Sequence, residues 1–185
     1  PVCSSAASDV YKRQVKDLTG FCLDKLDKTY YSKNSFNNKY GVPLSIINSP
    51  QSTKFSVLEV GMDKKGEIDT LTKLIRPNLG LITNISYAHI KNFKNLDEIA
   101  KAKGEIINNI SPSGAMIINK DDKYCNYFIS KAKMRNLNII TFSKKNKLAD
   151  VVYLGERKNK NDFLCKFLIN GKIKFFLIPN YLINF

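Results

Sequence analysis

The sequence is poor in features that build metal clusters, disulfide frameworks or membrane spans. Its four cysteines, Cys3, Cys22, Cys125 and Cys165, lie far apart, so the chain has no CxxC zinc or redox motif and we expect reduced thiols. No apolar run approaches the about 20 residues needed to cross a bilayer. These absences predict a soluble, cytoplasmic protein that does not act at a membrane.

Acidic residues are also scarce. The 16 Asp and Glu residues face 30 Lys and Arg residues, which gives a formal net charge of +14. A basic protein of this kind could bind nucleic acid, and salt-dependent binding to DNA or RNA would reveal it. The lysines are spread through every segment, however, and no nucleic-acid-binding motif is present, so we expect no nucleic-acid partner. The surplus charge would instead help to attract anionic substrates such as nucleotides.

Short apolar strands alternate with amphipathic helices along residues 15–142. Helices are predicted over residues 15–26, 67–75, 96–110 and 123–134, and strands over residues 55–60, 79–83, 115–118 and 138–142. Such alternation predicts an α/β fold in which a mainly parallel sheet is covered by helices on both faces.

The pattern changes after Asp150. Residues 163–169 and 172–178 flank Asn170-Gly171, a dipeptide that strongly favours a two-residue hairpin turn. An antiparallel hairpin appended to the sheet is therefore predicted. At 185 residues the chain is about one domain with a substantial core, and we expect a monomer.

Three residues are candidates for a functional site. Glu59 ends an apolar strand, where it could act as a functional acid or simply cap the following turn. His89, the only histidine, could be a ligand or an ordinary hydrogen-bonding residue of a loop. Lys103 shares a predicted helical face with Leu96, Ile99, Ile106 and Ile110. Burying an ammonium costs several kcal/mol, so Lys103 must reach water, lose its proton, meet acids or be chemically converted.

Several short motifs occur in the order and spacing of the Mur ligases. They are Glu59-Val60-Gly61, Gly66-Glu67-Ile68, Pro77, Thr83-Asn84, Ala88-His89, Phe93, Ala102-Lys103-Gly104-Glu105-Ile106 and Asn119-Lys120-Asp121-Asp122. Residues 15–150 resemble the central, ATP-binding domain of this family, which has a P-loop or Rossmann-like α/β fold. The resemblance is greatest to the branch that adds D-alanyl-D-alanine to UDP-N-acetylmuramoyl-tripeptide.

The resemblance implies a role for each candidate. Glu59 would hold the Mg²⁺ ion that bridges the terminal phosphates of ATP. Carbon dioxide would carbamylate Lys103, which would turn a cation into an anionic ligand, and Lys103 with His89 would hold a second Mg²⁺. An imidazole is an atypical ligand for this ion, because Mg²⁺ prefers oxygen.

The family also implies nucleotide contacts for Asn84, Asn119 and Asp122, with Asn119 facing the adenine. The residues themselves offer another role for Asn119, Asp121 and Asp122. They precede a predicted helix, where Asn and Asp side chains accept hydrogen bonds from free backbone N–H groups. The two roles are compatible.

A loop that borders the substrate in the family resembles residues 34–44. Asn34, Asn37 and Asn38 are the candidate substrate-loop residues, although Asn and Gly also favour ordinary turns. Lys33 stands where the family has glycine, so the backbone of this loop is free to differ from the family's.

Residues 1–14 depart most from the family. A phosphate-binding loop of the form G-x-x-G-K-[ST] is expected just before Val15, but residues 1–14 contain no glycine. We interpret this segment as non-native, translated from a sequencing adapter, and residues 15–185 as a central domain truncated at both ends. The fragment itself is accordingly expected to be inactive.

The sequence thus predicts a fragment of an ATP- and Mg²⁺-dependent ligase of peptidoglycan synthesis. By resemblance, its substrates are UDP-N-acetylmuramoyl-tripeptide and D-alanyl-D-alanine. Two alternatives remain. The first is another Mur-type ligase, either one that adds the third residue of the stem peptide or a folylpolyglutamate synthase. The second is an inactive, truncated nucleotide-binding module.

Overall fold

The computed structural model of the chain describes residues 5–32, 35–86 and 92–180. The chain divides into two compact units, and each is described separately. Unit 1 consists of Pro1–Ile75 and Ser86–Glu105, and unit 2 of Arg76–Ile85 and Ile106–Phe185. Over the described ranges, no helix combines the length and the apolar character that crossing a membrane requires.

Unit 1 contains four α-helices, the start of a 3-10 helix and a two-stranded sheet over the described residues. Its elements are α1 (Ser5–Asp24), β1 (Thr29–Tyr31), α2 (Gly41–Ile47), β2 (Phe55–Val57), α3 (Glu67–Ile75), α4 (Leu96–Lys103) and the start of a 3-10 helix (Gly104–Asn109). Strands β1 and β2 pair in parallel, with Thr29 opposite Phe55. Neither β1 nor α2 was predicted, because three and seven residues are too few to show a clear period.

Two boundaries of unit 1 differ from the prediction. Helix α1 begins at Ser5 rather than at residue 15, since residues 5–14 include two alanines and neither glycine nor proline. Strand β2 ends at Val57 rather than at residue 60. The backbone therefore leaves the strand before it reaches Glu59.

The predicted helix over residues 96–110 is wrong in its second half. Helix α4 ends at Lys103, and the 3-10 helix follows from Gly104, a residue that stabilises α-helix poorly. A 3-10 helix has three residues per turn, so the apolar face rotates at this point. Ile99 and Ala102 are fully buried, whereas Lys103 is half-buried. Lys103 therefore has partial access to water, which is one of the outcomes that the sequence left open.

Unit 2 is built on a six-stranded sheet. Its strands are β3 (Leu79–Ile82), β4 (Ala115–Asn119), β5 (Asn138–Ser143), β6 (Val151–Lys158), β7 (Asp162–Ile169) and β8 (Lys172–Pro179), and α5 is Cys125–Met134. The spatial order follows the sequence from β3 to β8. Strands β3 to β6 are parallel and the last two pairings are antiparallel. The predicted α/β class with a mainly parallel sheet is confirmed.

The core of unit 2 lies on both faces of β4. Met116 and Ile118 are buried on one face, while Ala115 and Ile117 on the other face are half-buried. Helix α5 packs against β4 and β5 and buries Phe128 completely. A central parallel strand with both faces protected is the arrangement that α/β folds require.

The predicted hairpin is confirmed at Asn170-Gly171. Ile169 pairs with Lys172, and the two turn residues have φ angles of 48° and 74°. Both angles lie in the left-handed region, as a type I′ turn demands. The turn thus fixes the register of β7 against β8.

The cysteines of the described residues are free thiols. Cys22 is exposed, whereas Cys125 and Cys165 are buried. Burial raises the pKa of the Cys125 and Cys165 thiols above the ordinary value, which makes them poor nucleophiles at neutral pH.

Asp150 joins the start of β6 to β5. Its Oδ2 accepts hydrogen bonds from the Thr141 hydroxyl and the Thr141 N–H, each 2.7 Å long. These bonds lower the pKa of Asp150 below its ordinary value. The stabilisation that the charged form provides is therefore complete above the pKa of an unfolded aspartate and is lost as the pH falls through the lowered pKa.

We expect Asp150→Asn to lower the free energy of unfolding at pH 7 by about 1 kcal/mol, a small value because the carboxylate is exposed. The difference from wild type should shrink below about pH 3.9, where wild type loses the same charge. Urea unfolding followed by circular dichroism would measure it, with Asp162→Asn as a control. A difference that does not change with pH would show that the charge of Asp150 is not what stabilises this connection.

Candidate metal and substrate site

Glu59 is a buried acid of unit 1 that lies just beyond the end of β2. The residue is 7% exposed, and its Oε1 accepts a hydrogen bond of 2.8 Å from the Asn37 side-chain amide. The Lys12 ammonium lies 3.7 Å from the same oxygen. Within the described residues the bond comes from a side chain and not from a backbone N–H, so Glu59 does not cap the following turn.

The second oxygen of Glu59 is the exceptional atom. Oε2 is buried and has no hydrogen-bond partner within the described part of the chain. A buried carboxylate oxygen without a partner is costly, and a cation would remove that cost. Carboxylate oxygen is also the ligand that Mg²⁺ prefers. Glu59 therefore fits the metal role that the sequence predicts.

Two of the three asparagines of the predicted substrate loop lie among the described residues, and they make different contacts. Asn37 binds Glu59 through its side chain, and its backbone carbonyl accepts a 2.7 Å hydrogen bond from Gly61 N–H. The Asn38 side chain accepts hydrogen bonds from the N–H groups of Tyr40 and Gly41, at 3.0 and 2.9 Å, where α2 begins. Turn chemistry thus accounts for Asn38, whereas Asn37 belongs to the surroundings of Glu59. Asn34 lies outside the described residues.

Lys103 is the last residue of α4, and His89 lies outside the described residues. Their predicted pairing through a metal therefore stays a prediction. Among residues 5–32, 35–86 and 92–180, His, Cys, Asp and Glu side chains form no group of three that could hold a metal ion. Glu59 does not sit in a cluster of other acids.

Glu105 is a structural acid that the sequence did not reveal. It is 8% exposed, and its carboxylate accepts hydrogen bonds from Gly66 N–H at 2.8 and 3.1 Å and from Asp69 N–H at 3.2 Å. These N–H groups belong to the beginning of α3, where the helix dipole also favours negative charge. Gly66 and Glu105 are 39 positions apart, so no local pattern could have indicated the contact.

A cleft of about 630 Å³ lies in unit 1, and its lining includes Lys12 and Asn37, the two residues whose side chains contact Glu59. It is lined by Lys12, Asn37, Asn38, Lys39, Tyr40, Gly61, Met62, Asp63, Lys64, Lys65, Gly66, Glu67, Thr70 and Leu71. Hydrogen bonds from the N–H groups of Asp63 and Lys64 lower the pKa of Glu67, which keeps that carboxylate charged and tied to the loop. The four lysines give the cleft a positive field, which suits an anionic ligand.

The predicted nucleotide residues meet in unit 2, at the carboxyl ends of β3 and β4. The Asn119 amide donates to the Thr83 carbonyl at 2.9 Å, and Asp122 Oδ2 accepts from Ile85 N–H at 2.7 Å. Asn84 lies between these two contacts, and its Oδ1 is 3.4 Å from the Thr83 hydroxyl. Ligands of parallel α/β sheets bind at this end of the strands.

The predicted helix-capping residues Asn119 and Asp122 lie a few residues before the first residue of α5. Helix α5 begins at Cys125 rather than at residue 123, and Tyr124, which precedes it, makes no side-chain cap. Asp122 Oδ1 accepts from Tyr124 N–H at 2.8 Å, and Asn119 Oδ1 accepts from Asp121 N–H at 3.0 Å. Asp122 and Asn119 thus stabilise the turn before α5 rather than its first residue.

Comparison with known proteins shows the family to which the chain is similar. The family described as the Mur ligase middle domain matches residues 5–182. The UDP-N-acetylmuramoyl-tripeptide–D-alanyl-D-alanine ligase of Buchnera aphidicola subsp. Acyrthosiphon pisum is 36% identical over 136 residues, which are 74% of this chain and 30% of that protein. MurF from Acinetobacter baumannii is similar in structure, with a TM-score of 0.81 and 27% identity over 91% of this chain and 36% of the MurF chain.

MurF ligase from Thermotoga maritima, solved in complex with ADP, shares the fold. It has a TM-score of 0.75 and 22% identity, over 90% of this chain and 38% of its own. The chain belongs to the Mur ligase middle domain family. It spans about a third of the length of these relatives.

The Glu105 contacts lead to a stability prediction. We expect Glu105→Ala to lower the free energy of unfolding by about 2 kcal/mol, because it leaves the half-buried N–H groups of Gly66 and Asp69 without their acceptor. Urea unfolding would measure the loss, and hydrogen exchange would show faster exchange at these two amides.

Glu98→Ala is the matched control. Glu98 also accepts a backbone hydrogen bond, from Lys94 N–H at 2.8 Å, but in an exposed setting, so its removal should cost less than about 1 kcal/mol. Equal losses in the two variants, or unchanged exchange at Gly66, would contradict the assigned role of Glu105.

Proposed function

We propose that this chain is the central, nucleotide-binding domain of an ATP-dependent ligase that joins D-alanyl-D-alanine to UDP-N-acetylmuramoyl-tripeptide in peptidoglycan synthesis. The observation that carries the proposal is the buried oxygen of Glu59 that has no partner among the described residues, in a carboxylate whose neighbours Lys12 and Asn37 line a lysine-rich cleft. The name of the Buchnera relative supports the choice of reaction. The protein is proposed to act in the cytoplasm as a monomer.

The proposed residue roles follow the family motifs. Glu59 would bind the Mg²⁺ associated with ATP, and His89 with a carbamylated Lys103 would bind a second Mg²⁺. Asn84, Asn119 and Asp122 would lie beside the nucleotide. The ions would supply positive charge that neutralises phosphate oxygens when bound.

The proposed reaction has two steps. The tripeptide carboxylate attacks the γ-phosphorus of ATP and releases ADP, which gives an acyl phosphate. The amine of D-alanyl-D-alanine then attacks the acyl carbon, loses a proton and releases phosphate as the amide forms. The chain contributes by positioning and by charge: Lys39, Lys64 and Lys65 favour the entry of anions into the cleft.

The position of Lys103 sets a condition for its proposed chemical conversion. An ammonium at the carboxyl end of α4 is favourable, because the helix dipole is negative there. Carbamylation, in which Nζ bonds to the carbon of CO₂ and loses a proton, reverses that charge. The carbamate would therefore need a nearby cation, such as the proposed Mg²⁺, to be stable at this end of the helix.

Residues 1–14 favour a second candidate function. We propose that they stand where the family carries its phosphate-binding loop and that residues 15–185 are the native domain. Their lack of glycine removes the backbone cradle for the phosphates. The alternative is therefore an inactive nucleotide-binding module. Restoring the phosphate-binding loop and measuring nucleotide binding tests this alternative against the ligase.

Nucleotide binding by two versions of the chain separates these candidates. The 185-residue chain would be compared with a version in which a G-x-x-G-K-[ST] loop and its preceding strand replace residues 1–14. We expect the restored version to bind MgATP at least about tenfold more tightly, because it adds N–H and lysine contacts to the phosphates. Isothermal titration calorimetry would measure this, and failure of both versions to bind would contradict the ligase proposal.

Lys103→Ala tests the carbamate in a full-length ligase that carries this domain. The rate should fall by about 100-fold or more, because a metal ligand is lost. Short carboxylic acids such as acetate should restore part of it by supplying the missing carboxylate. Lys101→Ala, an exposed position of the same helix, is the control. An unchanged rate, or a loss that no carboxylic acid restores, would show that Lys103 has another role.

A further inference from the structure

Asn37 contacts the segment around Glu59 at two points. Its side-chain amide donates to Glu59 Oε1 at 2.8 Å, and its backbone carbonyl accepts from Gly61 N–H at 2.7 Å. The side chain and the backbone of one residue therefore fix both the carboxylate and the chain two residues beyond it. Asn37 is half-buried, which limits the other positions that its amide could adopt.

Gly61 makes room for this contact. A Cβ atom at position 61 would lie 3.0 Å from Asn37 Cγ and 3.1 Å from Asn37 Oδ1. That spacing is tighter than ordinary van der Waals contact, so a side chain at position 61 would displace the amide that holds Glu59. The Glu59-Val60-Gly61 motif and Asn37 thus form one packed arrangement.

The two oxygens of Glu59 are therefore unequal. Oε1 accepts from Asn37 and lies 3.7 Å from the Lys12 ammonium, whereas Oε2 is buried and unpaired within the described residues. We propose that Asn37 is a positioning residue, which holds Oε1 so that Glu59 binds a divalent cation through Oε2 alone. This inference rests on the metal role given to Glu59 under the proposed function.

Lys12 lies in the segment interpreted as non-native, so its effect on Glu59 concerns the 185-residue chain and not the native domain. Its ammonium partly neutralises Glu59, and both side chains are largely buried, at 19% and 5% exposure. A divalent cation at Oε2 would be repelled by this ammonium at short range. Removing the charge of Lys12 should therefore strengthen metal binding, whereas removing the amide of Asn37 should weaken it.

The 185-residue chain itself can be tested with Mn²⁺, a paramagnetic ion that prefers the same oxygen ligands as Mg²⁺. Electron paramagnetic resonance would measure free Mn²⁺ during titrations up to millimolar concentrations. We expect Glu59→Gln to abolish binding at this site and Asn37→Ala to weaken it by about tenfold, as is usual for the loss of a group that orients a ligand. Lys12→Met should tighten binding by about three- to tenfold.

Infrared spectroscopy gives a readout that a loss of stability would not produce. The separation of the two carboxylate stretching bands is wide when one oxygen binds the metal and narrower when both do. Difference spectra with and without Mg²⁺ should show the wide separation in wild type. In Asn37→Ala, Oε1 loses its donor, so we expect the separation to narrow.

Asn38→Ala is the matched control. Asn38 is the neighbouring residue, and its side chain binds the N–H groups at the start of α2 rather than Glu59. This variant should lose stability but keep the Mn²⁺ affinity and the infrared bands of wild type. If Asn37→Ala lacks a cooperative unfolding transition, Asn37→Leu keeps most of the side-chain volume, supplies no hydrogen-bond donor and serves in its place.

The outcomes separate the inference from the function on which it rests. Unchanged Mn²⁺ binding in Glu59→Gln would overturn the metal role of Glu59 and with it that part of the proposed function. Loss of binding in Glu59→Gln, together with wild-type affinity and bands in a folded Asn37 variant, would overturn the inference alone. Weaker binding and a narrowed separation in the Asn37 variant, with Asn38→Ala unchanged, would support it.

Discussion

The hydrogen bonds from Gly66 and Asp69 N–H to the Glu105 carboxylate are the constraint on which unit 1 depends. They fix the beginning of α3 and the residue before it, whose φ of 90° only glycine adopts readily. The segment from Gly61 to Gly66 forms one wall of the cleft. Because Asn37 holds Gly61 at one end and Glu105 holds Gly66 at the other, the wall is fixed at both ends.

Unit 1 contains two buried glutamates, Glu59 and Glu105, whose carboxylates differ in their hydrogen bonds. Glu105 receives backbone hydrogen bonds on both oxygens, and its charge is balanced by the positive end of a helix. Glu59 receives a side-chain amide on one oxygen, and its other oxygen is left buried and unpaired within the described residues. Since the two are similarly buried, the difference in hydrogen bonding is what separates a structural acid from one suited to bind a ligand.

The sequence predicted the structural elements that depend on local hydrophobic periodicity and on turn residues. Strands β3, β4 and β5 follow from apolar runs, and the hairpin follows from the φ angles that Asn170 and Gly171 accept. The end of α4 was missed, because the apolar spacing continues past Gly104 although the helix changes type there. Glu105 and Asn37 were not assigned their contacts, because those depend on pairs 39 and 22 residues apart that only the folded chain brings together.

Gly61 has a packing role in the Glu59-Val60-Gly61 motif that the linear sequence does not show. Because Gly61 has no side chain, it leaves room for Asn37, which belongs to another segment of the chain. A Cβ added at position 61 would approach the Asn37 amide to 3.0 Å. Positions 37, 59 and 61 therefore form a single packed unit, in which a substitution at one position alters the contacts of the other two. A recognition pattern written for these three positions together would describe the site more faithfully than the contiguous tripeptide.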